Sequence, residues 1–268
     1  TTRSPYSRRI AMEILRNAHY KVLSELGRLI APDTSEHYIL REKAVEFLAM
    51  DTARENRGIL LNLTQERVFW FKAMLGLAYL HDNRILPEVL DSLENGEFCN
   101  KIRAIHILSA YGDASIATNL LNLYQEMEVL KSQTQNEDSL KQIKAVQAIA
   151  IIGLGELKNN SSEIMSFLEN IAQNGSYHFA MNAIETLGEI GDAQAAPVLR
   201  EIMTREEKLN PYMRLACAKS LEKIGDSSEE TLNAVSKSAD LAKRDCLAEG
   251  MDTTFVVTQI RKIYEALK

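Results

Sequence analysis

The chain has 268 residues, of which 46% are hydrophobic, 25% charged and 6% aromatic, and its formal net charge is −6. This is the profile of a folded helical protein with aliphatic cores, and the acidic balance argues against nucleic acid as the main partner. No run of 18 apolar residues exists to span a membrane, and Cys99, Cys217 and Cys246, odd in number and far apart, predict free thiols in a reducing, cytoplasmic setting.

Along the chain, residues 1–70 hold eleven Lys/Arg against nine Asp/Glu, so the acidic excess lies further on. Arg3, Arg8, Arg9 and Arg16 form the one basic cluster. Its plain reading is a solvated helix start; its sharper reading is a contact to an acidic partner or an anionic membrane. The chain begins at Thr1 rather than Met, as a fragment or processed product would, so a membrane anchor or further domain outside it stays compatible. Arg8–Leu29 predicts a capping helix, and LREKAVEFLAMDTA (Leu40–Ala53) one degenerate repeat. Together, residues 1–66 read as an N-terminal cap.

From residue 67 a phrase returns. It reads LAYLHD (Leu77–Asp82), LSAYGD (Leu108–Asp113), LGELKN (Leu154–Asn159), LGEIGD (Leu187–Asp192) and LEKIGD (Leu221–Asp226). The anchor leucines are 31, 46, 33 and 34 residues apart. A period near 30–35 without strand-like alternation marks stacked helical repeats. The long step contains EVLKSQTQNEDSLK, residues 128–141, which is polar and aperiodic and predicts a mobile loop insertion.

The unit Ala195–Asp226 shows the physics of one repeat. Pro197 suits a helix start, where the missing N–H costs little. Asn210-Pro211 breaks that helix, and Pro211 can open a second. Met213, Ala216, Cys217, Ala218, Leu221 and Ile224 give the second helix one broad apolar face. Gly225 then ends it in the left-handed conformation, and Asp226 or Ser227 caps the next helix. Clear repeats run over 67–240, and TTFVVTQIRKIYEAL (Thr253–Leu267) reads as a closing amphipathic helix within capping residues 241–268.

Three stretches carry a family resemblance: MRLACAKSLEKIGD (Met213–Asp226), FAMNAIETLGEIGD (Phe179–Asp192) and, more loosely, NKIRAIHILSAYGD (Asn100–Asp113). They resemble the second helix of bacterial HEAT-like repeats of the phycobilisome-lyase type, which reads roughly V-R-x-A-A-x-A-L-G-x-I-G-D. The resemblance implies an all-α fold, an α–α superhelix of about six or seven helix pairs, as a single domain over residues 1–268.

Motifs for chemistry are missing. His19, His37, His81, His106 and His178 form no H-E-x-x-H and no His-Glu dipeptide, which sets aside the iron-binding deoxyhypusine hydroxylases built on similar repeats. There is no C-x-x-C, no P-loop and no G-x-S-x-G, so no catalytic residue, metal ligand or cofactor is expected. Bilin lyases and helical-repeat alkylpurine DNA glycosylases also resemble this scaffold. The first carry no short identifying motif, and the second need a basic concave face.

In HEAT-like stacks the second helices line the concave face. Framed on the anchor leucines, position three is Phe71, Ile102, Ala148, Met181 and Leu215, and position seven is Leu75, His106, Ile152, Glu185 and Lys219. Anchoring the middle copy on Gly155 and Glu156 instead shifts its assignments by three. Position three is apolar throughout, and Trp70, the sole tryptophan, sits beside it. Trp70, Phe71, Leu75, Ile102, His106, Met181 and Leu215 are therefore the expected partner-binding residues, for a protein or peptide on a scaffold or adaptor that is not an enzyme. The plainer reading packs these side chains between repeats.

Overall fold

The computed structural model describes residues 4–16 and 20–268; Arg3, His19 and the side chain of Arg16 lie outside what it describes. Among the described residues every regular element is helical, as the repeat period requires. The chain forms two compact units, Thr1–Gly112 and Asp113–Lys268. The first holds α1 (Pro5–Arg16), α2 (Tyr20–Ile30), α3 (Tyr38–Met50), α4 (Asn56–Leu63), α5 (Trp70–Tyr79), α6 (Leu86–Asn95) and α7 (Phe98–Tyr111). The second holds α8 (Ala117–Gln133), α9 (Glu137–Leu157), α10 (Ser162–Asn174), α11 (Tyr177–Ile190), α12 (Ala196–Met203), α13 (Pro211–Ile224), α14 (Glu229–Ala248) and α15 (Thr254–Leu267). Consecutive helices pair into hairpins: α2/α3, α4/α5 and α6/α7 after α1 in the first unit, then α8/α9, α10/α11, α12/α13 and α14/α15 in the second. Second helices stack on second helices, α3 on α5 on α7, and α9 on α11 on α13 on α15. The expected 240/241 boundary falls inside α14, so the last hairpin is itself a packed repeat rather than a separate cap.

The recurring phrase works as a helix stop and then a cap. Its fifth residue takes a positive φ in all five copies: His81 (50°), Gly112 (74°), Lys158 (50°), Gly191 (76°) and Gly225 (76°). The sixth accepts a backbone N–H two residues on, at 2.8–3.2 Å: Asp82 from Arg84, Asp113 from Ser115, Asn159 from Ser161, Asp192 from Gln194 and Asp226 from Ser228. The left-handed Lys158 fixes Leu154 as the anchor of the middle copy and discards the alternative register. A Cβ at Gly191 would meet no atom within 4 Å, so a substitution there costs conformational energy alone. Gly191→Val is expected to destabilise by at least ~1 kcal/mol, and Lys158→Gly to stabilise by roughly half that or more. Chemical denaturation of both variants checks the pair; shifts of the same sign would contradict it.

Residues 128–141 are not a loop. They extend α8 to Gln133 and start α9 at Glu137, leaving only residues 134–136 to connect the two. The polarity that suggested a loop is helix-end chemistry. Asn136 caps α9 by accepting from the Ser139 N–H at 2.9 Å, Glu137 and Asp138 lie in its first turn, and Lys131 lies in the last turn of α8. Every residue of this stretch is exposed or half-buried and none is fully buried, so it needs no apolar period.

A buried cation near the start of several second helices ties off the preceding chain. Arg41 Nε donates to Ala31 O at 2.9 Å, and Lys101 Nζ donates to Leu93 O and Glu94 O at 2.8 and 2.6 Å. Arg214 donates to Met203 O, Arg205 O and Glu207 O at 2.6, 3.0 and 3.1 Å. Carbonyls at a helix C-terminus lack intrahelical partners and carry the negative end of the dipole, so a cation is suited to them. In this chain Lys101 and Arg214 stand where the resembled repeat pattern has its arginine. Small residues let second helices approach: Gly76 lies against Ala49, Gly155 against Thr186, and Gly188 against Ser220.

Candidate functional site: a tryptophan-walled cleft

The first unit contains a cleft of about 510 Å³ where the start of α5, α6 and the start of α7 converge. Its wall is Trp70, half-buried, whose indole Nε1 donates to Glu88 Oε1 in the first turn of α6 at 2.6 Å. The turn ahead of α5 is braced from behind. Arg41 Nη2 pairs with Glu66 Oε1 at 2.6 Å, and its guanidinium lies 4.8 Å from the ring centroid of the buried Phe69. The Trp70 N–H donates to Glu66 O at 2.9 Å. This brace holds Arg67 at the rim, while α7 contributes Cys99, Asn100 and Arg103. Arg67, Cys99 and Arg103 are all exposed.

The expected site residues are distributed unevenly. Trp70 lines the cleft; Phe71 and Leu75 are half-buried one helical turn apart on α5, and the half-buried Ile102 and exposed His106 are similarly spaced on α7. Met181 is half-buried on α11, in the second unit. Leu215 is 3% exposed and belongs to the core of α13, so it offers no surface to a partner. It sits two positions from Cys217 on a helix packed by α11, α12, α14 and α15, which leaves its apolar side chain no open direction. Arg67, Glu88 and Arg103 were not singled out by sequence reasoning. A readable signal existed, since neither arginine has an Asp or Glu three or four residues away to pair with.

The basic cluster resolves in part: Arg8 pairs with Glu36 at 2.7 Å, and Arg9 is exposed. Cys217 is fully buried and its thiol is pushed up to about 12 by that burial, which makes it a packing residue as the repeat pattern predicts.

A second cleft, about 640 Å³, lies in the second unit beside the extended α8/α9 hairpin. Tyr124 meets Phe167 and Phe179 edge-on, at centroid distances of 4.9 and 6.3 Å. Glu128 accepts from Lys131 Nζ at 2.9 Å and Gln147 Nε2 at 2.7 Å. Burial would raise the Glu128 carboxyl, but these hydrogen bonds outweigh it and hold it below the usual range. Burial, reinforced by Glu128, pushes the Tyr124 phenol up to about 12. This cluster is a polar network on an aromatic floor, satisfied at Glu128 but not at Gln147, whose buried Oε1 has no hydrogen-bond partner among the described residues.

Hairpins stacked second helix on second helix, with glycine-aspartate stops between them, define a helical-repeat protein. Residues 128–209 match the HEAT repeats family, so the HEAT-like reading of the sequence holds there. No curated protein matches the chain. Among solved structures it is similar to the complex of CpcE and CpcF of phycocyanin lyase from Nostoc sp. PCC7120, at 16% identity and a TM-score of 0.44, over 90% of this chain and 96% of that one. It is also similar to human deoxyhypusine hydroxylase in complex with glycerol, at 15% identity and a TM-score of 0.36, over 94% and 99%. Likenesses of this strength carry no argument about activity. No helix among the described residues is long and apolar enough to cross a membrane.

Proposed function

We propose that the protein is a non-catalytic helical-repeat scaffold or adaptor, and that it binds a partner protein or peptide through the first unit. One observation carries this reading. The sole tryptophan stands half-buried at the wall of a cleft, with its indole N–H already tied to Glu88 and the turn beneath it braced by Arg41 and Glu66. A tryptophan fixed in place but left partly uncovered matches the anchor residues that dominate interface energies, because little side-chain entropy remains to be lost on binding.

Trp70→Ala separates this from a packing role. The expected result is retained thermal stability with loss of ~2 kcal/mol or more of affinity for a partner captured from the native lysate, identified and then purified. Phe71→Ala is the companion; a core role for it would instead cost about 3–5 kcal/mol of stability. A purified native protein that is coloured by a bound chromophore, with no stoichiometric protein partner, would overturn the scaffold reading in favour of a chromophore chaperone.

A further inference from the structure

We infer that the Trp70 cleft takes an acidic peptide segment, with carboxylates paired by Arg67 and Arg103 and an apolar side chain laid against the indole; this rests on the binding role proposed above. Both arginines line the cleft, and both lack an ion pair or side-chain hydrogen bond among the described residues. Arg8, Arg41, Arg57, Arg84, Arg200, Arg205, Arg214 and Arg244 pair with carboxylates of the chain, and the exposed Arg9, Arg54 and Arg261, which pair with none among the described residues, do not line this cleft. A guanidinium presents a planar fork of donors that fits a carboxylate in two parallel hydrogen bonds, so two unused forks on one cleft favour a ligand with spaced anionic groups. Two carboxylates, Glu88 and Glu97, also line the cleft, but neither is within ion-pair distance of Arg67 or Arg103, and Glu88 Oε1 is held by the Trp70 indole.

The charge of the first unit agrees. Residues 1–112 carry fifteen Lys/Arg against fourteen Asp/Glu, whereas residues 113–268 carry sixteen against twenty-three. The acidity of the chain thus belongs to the second unit, and the first does not repel an acidic partner on approach. An apolar ligand without charge would fit the indole but leave both arginines unused, and a basic one would find Glu88 and Glu97 but also face both guanidinium charges.

Trp70 is the sole tryptophan, so its fluorescence reports on this cleft alone. Two capped peptides without tryptophan, alike in length and in Leu and Phe content, are titrated into the full chain: one carries Asp and Glu at its polar positions, the other Lys. The acidic peptide is expected to shift Trp70 emission saturably, to weaken about tenfold or more in the double variant Arg67→Gln/Arg103→Gln, and to weaken with added salt. The Lys peptide should produce no saturable shift. Equal or tighter binding of the Lys peptide, no saturable shift with either, or indifference to the arginine substitutions overturns the inference. Saturation by free glutamate or inorganic phosphate at similar concentration also overturns it, by showing a small-anion site instead. The scaffold reading fails separately: it falls if Trp70→Ala leaves capture of the native partner unchanged, and it stands if that partner depends on Trp70 but not on Arg67 and Arg103.

Discussion

Arg214→Ala is expected to destabilise the protein by about 3–5 kcal/mol, because it removes one half of a buried ion pair. The Arg214 and Asp245 side chains are 0% and 1% exposed, and their closest contact is 2.7 Å. Truncation orphans more than the carboxylate. Met203 O, Arg205 O and Glu207 O lose their donor as well, and buried carbonyls left without partners are costly. Replacing both members with apolar residues of similar size, Arg214→Met with Asp245→Leu, should recover part of the loss, since desolvation of the pair offsets much of its attraction. A double variant no more stable than Arg214→Ala would place the damage in the carbonyls rather than in the stranded charge.

The same pair predicts a pH dependence. Burial alone would raise the Asp245 carboxyl, but hydrogen bonds from Arg214 and Arg244 outweigh it and hold it below its ordinary value. A group with a depressed folded pKa stabilises above its unfolded pKa, about 3.9 for Asp, and that stability is lost as pH falls through the folded value. In Arg214→Ala the main opposing cation is gone, burial prevails and the carboxyl should rise. The gap in stability between wild type and variant should therefore narrow as pH is lowered from 7 toward 4. A gap constant over that range, measured by denaturant titration, would mean that Asp245 does not strain against its burial in the variant.

The sequence made the repeat legible because its punctuation is local. A glycine that must take a positive φ and an aspartate that caps two residues later need no knowledge of distant contacts, and the phrase could be counted directly. The same rule carried through where the residue changed: His81 and Lys158 hold the left-handed position without being glycine. The polar stretch at 128–141 misled because absence of apolar period has two causes, a loop or a helix end that projects beyond its neighbours. Only packing distinguishes them. The candidate site was half legible. Trp70 stood out by its rarity and Leu215 by its place in the frame, yet a frame position says which helix face a residue occupies, not whether another helix covers it. Arg67 and Arg103 show half of their signal in the sequence, where no Asp or Glu stands three or four residues away; that no carboxylate of another element pairs with them, although Glu88 and Glu97 line the same cleft, is a relation among elements.

Gly188→Val is expected to lower stability by roughly 3 kcal/mol, combining overpacking with the disturbance of a buried hydrogen bond. The cause is the closeness of α11 and α13. A Cβ at residue 188 would stand 2.6 Å from Ser220 Oγ, 2.7 Å from its Cβ and 2.8 Å from its Cα. A flexible side-chain tip could turn away, but a backbone carbon cannot, so the two helices must part. Ser220 Oγ donates to Ile184 O across this contact at 2.8 Å, and separation stretches that bond. The equivalent contact one repeat earlier is looser, with Gly155 facing Thr186 Cγ2 at 3.1 Å and the Thr186 hydroxyl donating to Ile151 O at 3.1 Å. Gly155→Ala should thus be milder than Gly188→Ala in the same background. Removing the opposing side chain tests the geometry directly: Ser220→Gly alone costs about 0.5 kcal/mol of helix propensity and the hydrogen bond to Ile184 O, yet added to Gly188→Ala it should cost less than the sum of the two. Simple additivity would show that the helices relax apart at little cost and that the small residues do not set their spacing.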